Sequence, residues 1–240
     1  MHKILFILTL TLFLTKISYA QSILVFAQIQ NTPDQMVGAE ILKVIYSKIG
    51  IKIEMMDMPG KRALNESSAG RVDGEVHRIF KIGEDYLTLL RIPTPINYIE
   101  PSVFSKKHNF EITDCSALND YNIGIVRGVR HAELCTSGLE NVKIFNNSIK
   151  MMELLDANRI DIAITARING LMLSKRMKLD SIHPLSPPLN RMLVYHYVHE
   201  KHKDLVLKLD KVIIEMQNSG ELEMLRDKAI QTLFMKNKTK

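Results

Sequence analysis

The chain of 240 residues has no tryptophan, and aromatic residues make up only 6% of it. A basic surface interleaved with aromatics, of the kind that stacks single-stranded nucleic acid, is therefore hard to assemble. Two cysteines are too few for a disulfide-built scaffold, and 11 glycines with 8 prolines exclude a collagenous or low-complexity chain. After the N-terminal segment, no apolar run reaches the roughly 20 residues that a membrane-spanning helix needs. What remains is ordinary globular composition, 46% hydrophobic and 24% charged. At roughly 150 residues per domain, such a chain makes one large domain or two small ones and buries about 70% of its unfolded surface. The formal charge is +6, but its densest clusters, Lys106-Lys107, Lys175-Arg176-Lys178 and Lys236-Lys238-Lys240, are dispersed and free of aromatics. They read as solvated faces, and no nucleic-acid partner is expected.

Residues 1–20 carry an export pattern. Met1-His2-Lys3 is a short basic start, Ile4 to Leu14 is apolar apart from Thr9 and Thr11, and Ser18-Tyr19-Ala20 places small residues where a signal peptidase reads them. Cleavage is expected after Ala20, leaving a chain that begins at Gln21; an uncleaved anchor would need a longer apolar core. Loss of Lys3 and Lys16 lowers the net charge by two, from +6 to +4. In an exported protein Cys115 and Cys135 are expected to be bridged, a closure that contributes about 3 kcal/mol in the chain-entropy model. The other reading is two free thiols, one of them near His131.

The periodicities alternate strand and helix. Ile23 to Ala27 is a strand-length apolar run; Pro33-Asp34 opens a helix that Gly50 stops; Ile51, Ile53 and Met55 alternate with polar neighbours; and a second helix runs from Lys61 to Ala69. Gly70 takes the left-handed cap, and a third strand is expected from Arg71 to Val76. Pro93, Pro95 and Pro101 exclude a helix between Leu87 and Ser105. The rhythm then resumes with strands at 122–126 and 142–145, a helix from Ser148 as N-cap to Ala157, a strand at 160–165 and a helix at 168–177. A second proline-rich passage, His183 to Pro188, precedes a strand at 192–198 and helices at 204–218 and 221–233, separated by Gly220. Ala69-Gly70-Arg71-Val72-Asp73 and Ala157-Asn158-Arg159-Ile160-Asp161 share one grammar: helix end, a residue tolerant of positive φ, Arg, a β-branched residue, Asp. The fold class expected is α/β: two lobes, each a mostly parallel sheet flanked by helices, forming a clamshell joined by two crossings. Residues 21–103 begin the first lobe, 104–190 form the second, and 191–240 return to the first.

Several motifs, in this order and spacing, carry a family resemblance. They are Arg62-Ala63-Leu64, Gly70-Arg71-Val72-Asp73-Gly74-Glu75, Tyr98-Ile99-Glu100-Pro101, Val103-Phe104-Ser105-Lys106-Lys107, Ile123-Gly124-Ile125-Val126-Arg127-Gly128, Leu154-Leu155, Arg159-Ile160-Asp161 and Ser219-Gly220-Glu221-Leu222. Together they resemble the bacterial extracellular solute-binding proteins of family 3. The resemblance implies a periplasmic, non-enzymatic receptor that closes on a small-molecule solute and presents it to a membrane transporter or sensor, as a monomer and without a cofactor. Amino acid binders of that family hold the ligand carboxylate with a first-lobe Arg and the ammonium with a second-lobe acid. The position of that acid, counted from Asp161, is Ala166 here, with Arg167 beside it, which argues against a standard α-amino acid. The family's Thr after the second-lobe turn glycine is likewise replaced, by Val129-Arg130.

Ligands of such sheets meet strand ends and helix starts, which nominates Gln28, Arg62, Glu75, Arg78, Tyr98, Arg127, Gly128, Arg130, Thr165 and Arg167. Arginine dominates this set, and guanidinium forks suit carboxylate or phosphate, so an anionic or carboxylate-bearing solute is expected, with Arg78 and Arg127 foremost. The alternative for each is a surface ion pair with Asp73, Glu75, Asp85 or Glu100. His196 and His199 fall on opposite faces of a strand, and His199 and His202 have no acidic or cysteine cluster beside them, so no metal site is expected. The methionines read as core filler. Two other functions stay open: a dehydratase-like enzyme using Glu75 with His77 as acid and base, and an accessory protein that docks without binding ligand.

Overall fold

The computed structural model describes residues 23–236; the expected export signal and its cleavage point lie outside them. The first lobe begins with β1 (Leu24–Ile29), α1 (Pro33–Lys48), β2 (Ile53–Met58), α2 (Gly60–Ser68), β3 (Gly74–Ile79), α3 (Ile82–Asp85), β4 (Leu89–Arg91) and β5 (Asn97–Ile99). The second comprises β6 (Pro101–Ser105), β7 (Ile123–Val126), α4 (Arg130–Cys135), β8 (Val142–Phe145), α5 (Ser148–Asp156), β9 (Ile162–Ala166), α6 (Arg167–Met177) and β10 (His183–Pro184). The chain then returns through β11 (Met192–His199), α7 (Val206–Asn218) and α8 (Glu221–Lys236).

One sheet has the order β2-β1-β3-β11-β4, with β5 also paired to β11; the other has β10-β6-β9-β7-β8. The parallel pairing expected from the strand–helix rhythm holds for β2-β1-β3 and for β9-β7-β8. The sheets as wholes are mixed rather than mostly parallel, because β11 runs antiparallel to β3, and β6 to β9. Both antiparallel strands belong to the passages between lobes, where a chain arriving from the other sheet is not bound by the right-handed crossover rule. β5 and β6 stand on either side of Glu100, so the first passage falls there, ahead of a division after residue 103 that would cut β6.

The repeated corner has a physical basis. Gly70 and Asn158 both have positive φ, at 70° and 53°. Arg71 N–H bonds to Glu66 O and Arg159 N–H to Leu154 O, which ends both helices alike. Val72 and Ile160 are buried. The Asp73 carboxylate then accepts the N–H of Val25 at 2.7 Å, and that of Asp161 accepts the N–H of Asn122 at 2.9 Å. Each corner thus pins the start of its sheet's neighbouring strand. The third strand begins at Gly74, not Arg71, because residues 71–73 are used by this corner. Ser148 is not the cap of α5; Asn147 is, its side chain accepting the N–H of Lys150.

Cys115 and Cys135 are bridged, with a Cα–Cα distance of 5.4 Å, tying the end of α4 to the segment ahead of β7. The first-lobe core packs Phe26, Ile41, Leu42, Ile45 and Tyr46 against Leu209 and Ile213 of α7. The second-lobe sheet is covered on one face by Met151, Met152 and Leu155 of α5 and on the other by Leu118 and Ala132.

Candidate functional site

A cavity of about 40 Å³ lies where the lobes meet. Ile29, Ile79, Ile99, Val129 and Val194 supply apolar wall. Thr32, Asp34, Gln35, His77 and Arg78 reach it from the first lobe, and Arg130, His131, Ser148, Thr165 and Asn169 from the second. Among the described residues no group of three His, Cys, Asp or Glu is arranged to hold a metal.

Asp34 sits in the first turn of α1, one place after a proline that pre-sets the helical φ. Its N–H donates to Asn169 Oδ1 in the other lobe at 2.8 Å. Its Oδ2 lies 3.2 Å from His77 Nε2; a carboxylate only accepts, so that nitrogen carries the proton. Asp34 Oδ1 is buried without a hydrogen-bond partner. Burial pushes the carboxyl up, but the His77 hydrogen bond and charge, with the Asn169 amide, outweigh it and hold the group below its usual value. His77 fits because Gly38 faces it: a Cβ there would stand 2.3 Å from His77 Nδ1. From the second lobe, His131 brings a buried Nε2 that also lacks a partner. Burial depresses His131 to about 4, so its imidazole is neutral near pH 7.

The two arginines on the cavity are already engaged. Arg78 Nε donates to Glu75 at 2.9 Å, and its two terminal nitrogens donate to the carbonyls of Gly128 and Gly60 at 3.0 and 3.1 Å. Arg78 therefore clamps one lobe to the other. Arg130 pairs with Asp85 across the lobes at 2.7 Å and with Glu133 on its own helix at 3.1 Å.

Of the residues nominated from sequence, Arg78, Arg130 and Thr165 line the cavity. Gly128 meets it only through its carbonyl on Arg78, and its N–H is held by Glu133. Glu75 is fully buried behind Arg78, accepting also from Ser67, and Gln28 turns to Asp57. Arg62 is exposed and paired with Glu66, Arg127 is exposed, and Arg167 donates its N–H to Glu100 O. Tyr98 lies elsewhere, between the guanidiniums of Arg191 and Arg226 at 4.3 and 4.0 Å. Glu75 and His77, the pair nominated for acid–base work, engage different partners, Arg78 and Asp34. Ala166 is buried among Leu64, Ile79 and Ile99, so the position where the resemblance puts an acid is apolar core here. His196 is a core residue, and His202 bonds Asp73 at 2.7 Å. Asp34, His131 and Asn169 were not nominated; Asp34 reads as an ordinary first-turn acid, and its partners stand 43 and 135 residues away in sequence.

Two α/β lobes crossed twice by the chain, with polar groups from both turned onto one cavity, define a two-lobed domain of the periplasmic-binding-protein type. The profile of the bacterial extracellular solute-binding proteins, family 3, matches residues 26–232, and the chain belongs to that family. An uncharacterised protein of Shewanella oneidensis is 25% identical over 190 residues, 76% of this chain and 72% of the relative. A histidine kinase sensor domain with similarity to periplasmic binding proteins superposes with a TM-score of 0.75 at 17% identity, covering 87% of this chain and 96% of that one. An amino acid ABC transporter substrate-binding protein from Streptococcus pneumoniae, bound to L-arginine, gives 0.72 at 16% identity, covering 88% and 95%. At such identities the likeness is one of fold.

Proposed function

We propose that this chain is a periplasmic receptor that closes on a small polar solute and offers the closed form to a membrane partner, either a transporter or a sensor. The observation that carries this reading is a set of partnerless buried polar atoms on a single cavity, with His77 Nδ1 and Arg130 Nε beside the pair Asp34 Oδ1 from one lobe and His131 Nε2 from the other. Each unsatisfied buried group costs about 1–3 kcal/mol, and a solute that bonds both recovers it only when the lobes are together. The family supplies the solute-binding role, the export pattern of residues 1–20 supports the periplasm, and neighbours that serve a transporter and a kinase keep both partners open. An anionic solute finds less support than the sequence promised, since Arg78 and Arg130 already hold protein acceptors.

The test is a thermal-shift panel of small amines, acids, amino acids and sugars, with mass spectrometry of the hits after incubation. A solute at a hundredfold its dissociation constant should add about 2.7 kcal/mol of stability and come back unchanged. If a hit is consumed, the Asp34–His77 pair becomes a candidate for acid–base chemistry and the receptor reading fails. If nothing shifts the transition, the docking-only alternative takes its place.

A further inference from the structure

The charges around the cavity do not balance. Asp34 lines it, and Glu75, Asp85 and Glu133 form an outer shell behind the guanidiniums of Arg78 and Arg130. Lys81 reaches the outer carboxylate, Asp85, but is itself paired with Glu84. Four carboxylates thus face two arginines. Burial raises Glu75, yet even with that group protonated three carboxylates remain against the two guanidiniums. The shell is acidic although the whole chain carries +6. His77 donates to Asp34, and the His131 imidazole, depressed by burial, is neutral near pH 7. Both arginines have protein partners, and the buried polar atoms left over on the cavity are the acceptor-only Asp34 Oδ1, one ring nitrogen each of His77 and His131, and the Nε of Arg130. An acceptor-only oxygen on a carboxylate that keeps its charge is satisfied by a donor, best by a charged one.

We propose that Asp34 is the recognition group for a compact organic monocation, an ammonium or amidinium head whose N–H groups bond Asp34 Oδ1 and the His131 ring. This deepens the receptor reading and rests on it. Size agrees: about 40 Å³ holds roughly three waters, or a head of three or four heavy atoms. The apolar wall of Ile29, Ile79 and Val194 then suits a short hydrocarbon rather than a second charge.

The experiment uses three molecules of one shape and different charge: acetamidinium, acetamide and acetate. Their affinities for the mature protein are measured by calorimetry, and lobe closure by small-angle scattering. Acetamidinium should bind at least tenfold tighter than either isostere, and Asp34→Asn should erase that preference while leaving the weak acetamide binding in place. If acetate or acetamide binds and closes the protein as well as acetamidinium does, the charge assignment is overturned and the receptor reading survives. If none of the three binds, and no solute of the wider panel closes the lobes, the receptor reading itself falls. The comparison on the unaltered protein decides even if Asp34→Asn does not fold. An Asp34→Asn protein that folds and keeps the full preference would also overturn the assignment.

Discussion

His196 shows what a single buried side chain commits the molecule to. Its Nδ1 lies 2.8 Å from the Glu75 carbonyl and its Nε2 2.8 Å from the Tyr46 hydroxyl. A carbonyl only accepts, so Nδ1 carries the proton and Nε2 accepts a hydrogen bond from the Tyr46 hydroxyl. A second proton would put an unneutralised charge in a dry site; burial accordingly lowers His196 to about 4, as it does His131. Both folded values lie below the ordinary 6.5, so the unfolded chain takes up protons that the fold refuses. The stability they protect is complete above about pH 6.5 and is lost as pH falls towards 4, by up to roughly 3 kcal/mol for each histidine. The expected outcome is a melting temperature that declines steadily over that interval. His131→Gln, which removes one of the two ionisations, should flatten the decline, and an unchanged slope in that variant would refute its share. Nothing local in the sequence marked either histidine for this part, because the groups that fix them arrive from distant strands and helices.

Where α2 begins, the backbones of the two lobes meet glycine to glycine. A Cβ on Gly128 would stand 2.3 Å from the N of Lys61, and one on Gly60 would stand 3.1 Å from the Arg127 carbonyl. Gly128 also has φ of 81°, which a side chain rarely adopts. Gly128→Ala should therefore hold the lobes apart: a larger radius of gyration in solution and weaker solute binding, with unfolding still cooperative because each lobe keeps its own core. If the variant scatters like the parent and binds as well, the seam is not what sets closure. In sequence Gly60 reads only as a turn residue after Pro59, and Gly128 as a turn that offers amides to a ligand; neither shows that the two backbones meet. The elements that were legible are those that announce themselves locally, such as α1 between Pro33 and Gly50, or the paired corners at Gly70 and Asn158. The three-residue strands β4 and β5 have no period to show and exist because β11 pairs with both. The six-residue helix α4, which carries Arg130 and His131, is likewise held by tertiary contacts and by the Cys115–Cys135 bridge rather than by an apolar stripe of its own.

At the scale of the molecule, the bonds that cross between lobes decide how much of the solute's binding free energy is spent on closing them. Arg78 spans the seam from a buried position, and Asn169 holds the start of α1 from the second lobe. The Arg130–Asp85 pair lies at the rim, with side chains 28% and 25% exposed. Partly solvated pairs of this kind contribute on the order of 0.5–1 kcal/mol, too little to fix a closed state outright and enough to bias one. By population-shift reasoning, removing such a bias lowers the closed fraction, and with it the apparent affinity, by about two- to fivefold. Asp85 is not on the cavity wall, so Asp85→Asn should weaken every solute by the same factor and leave the order of preference among them intact. Asp34→Asn should do the reverse and change preference more than closure. Titrating both variants with the same solutes separates the two roles. A change in selectivity with Asp85→Asn would mean that the outer carboxylate, and not Asp34 alone, reads the charge of what is bound.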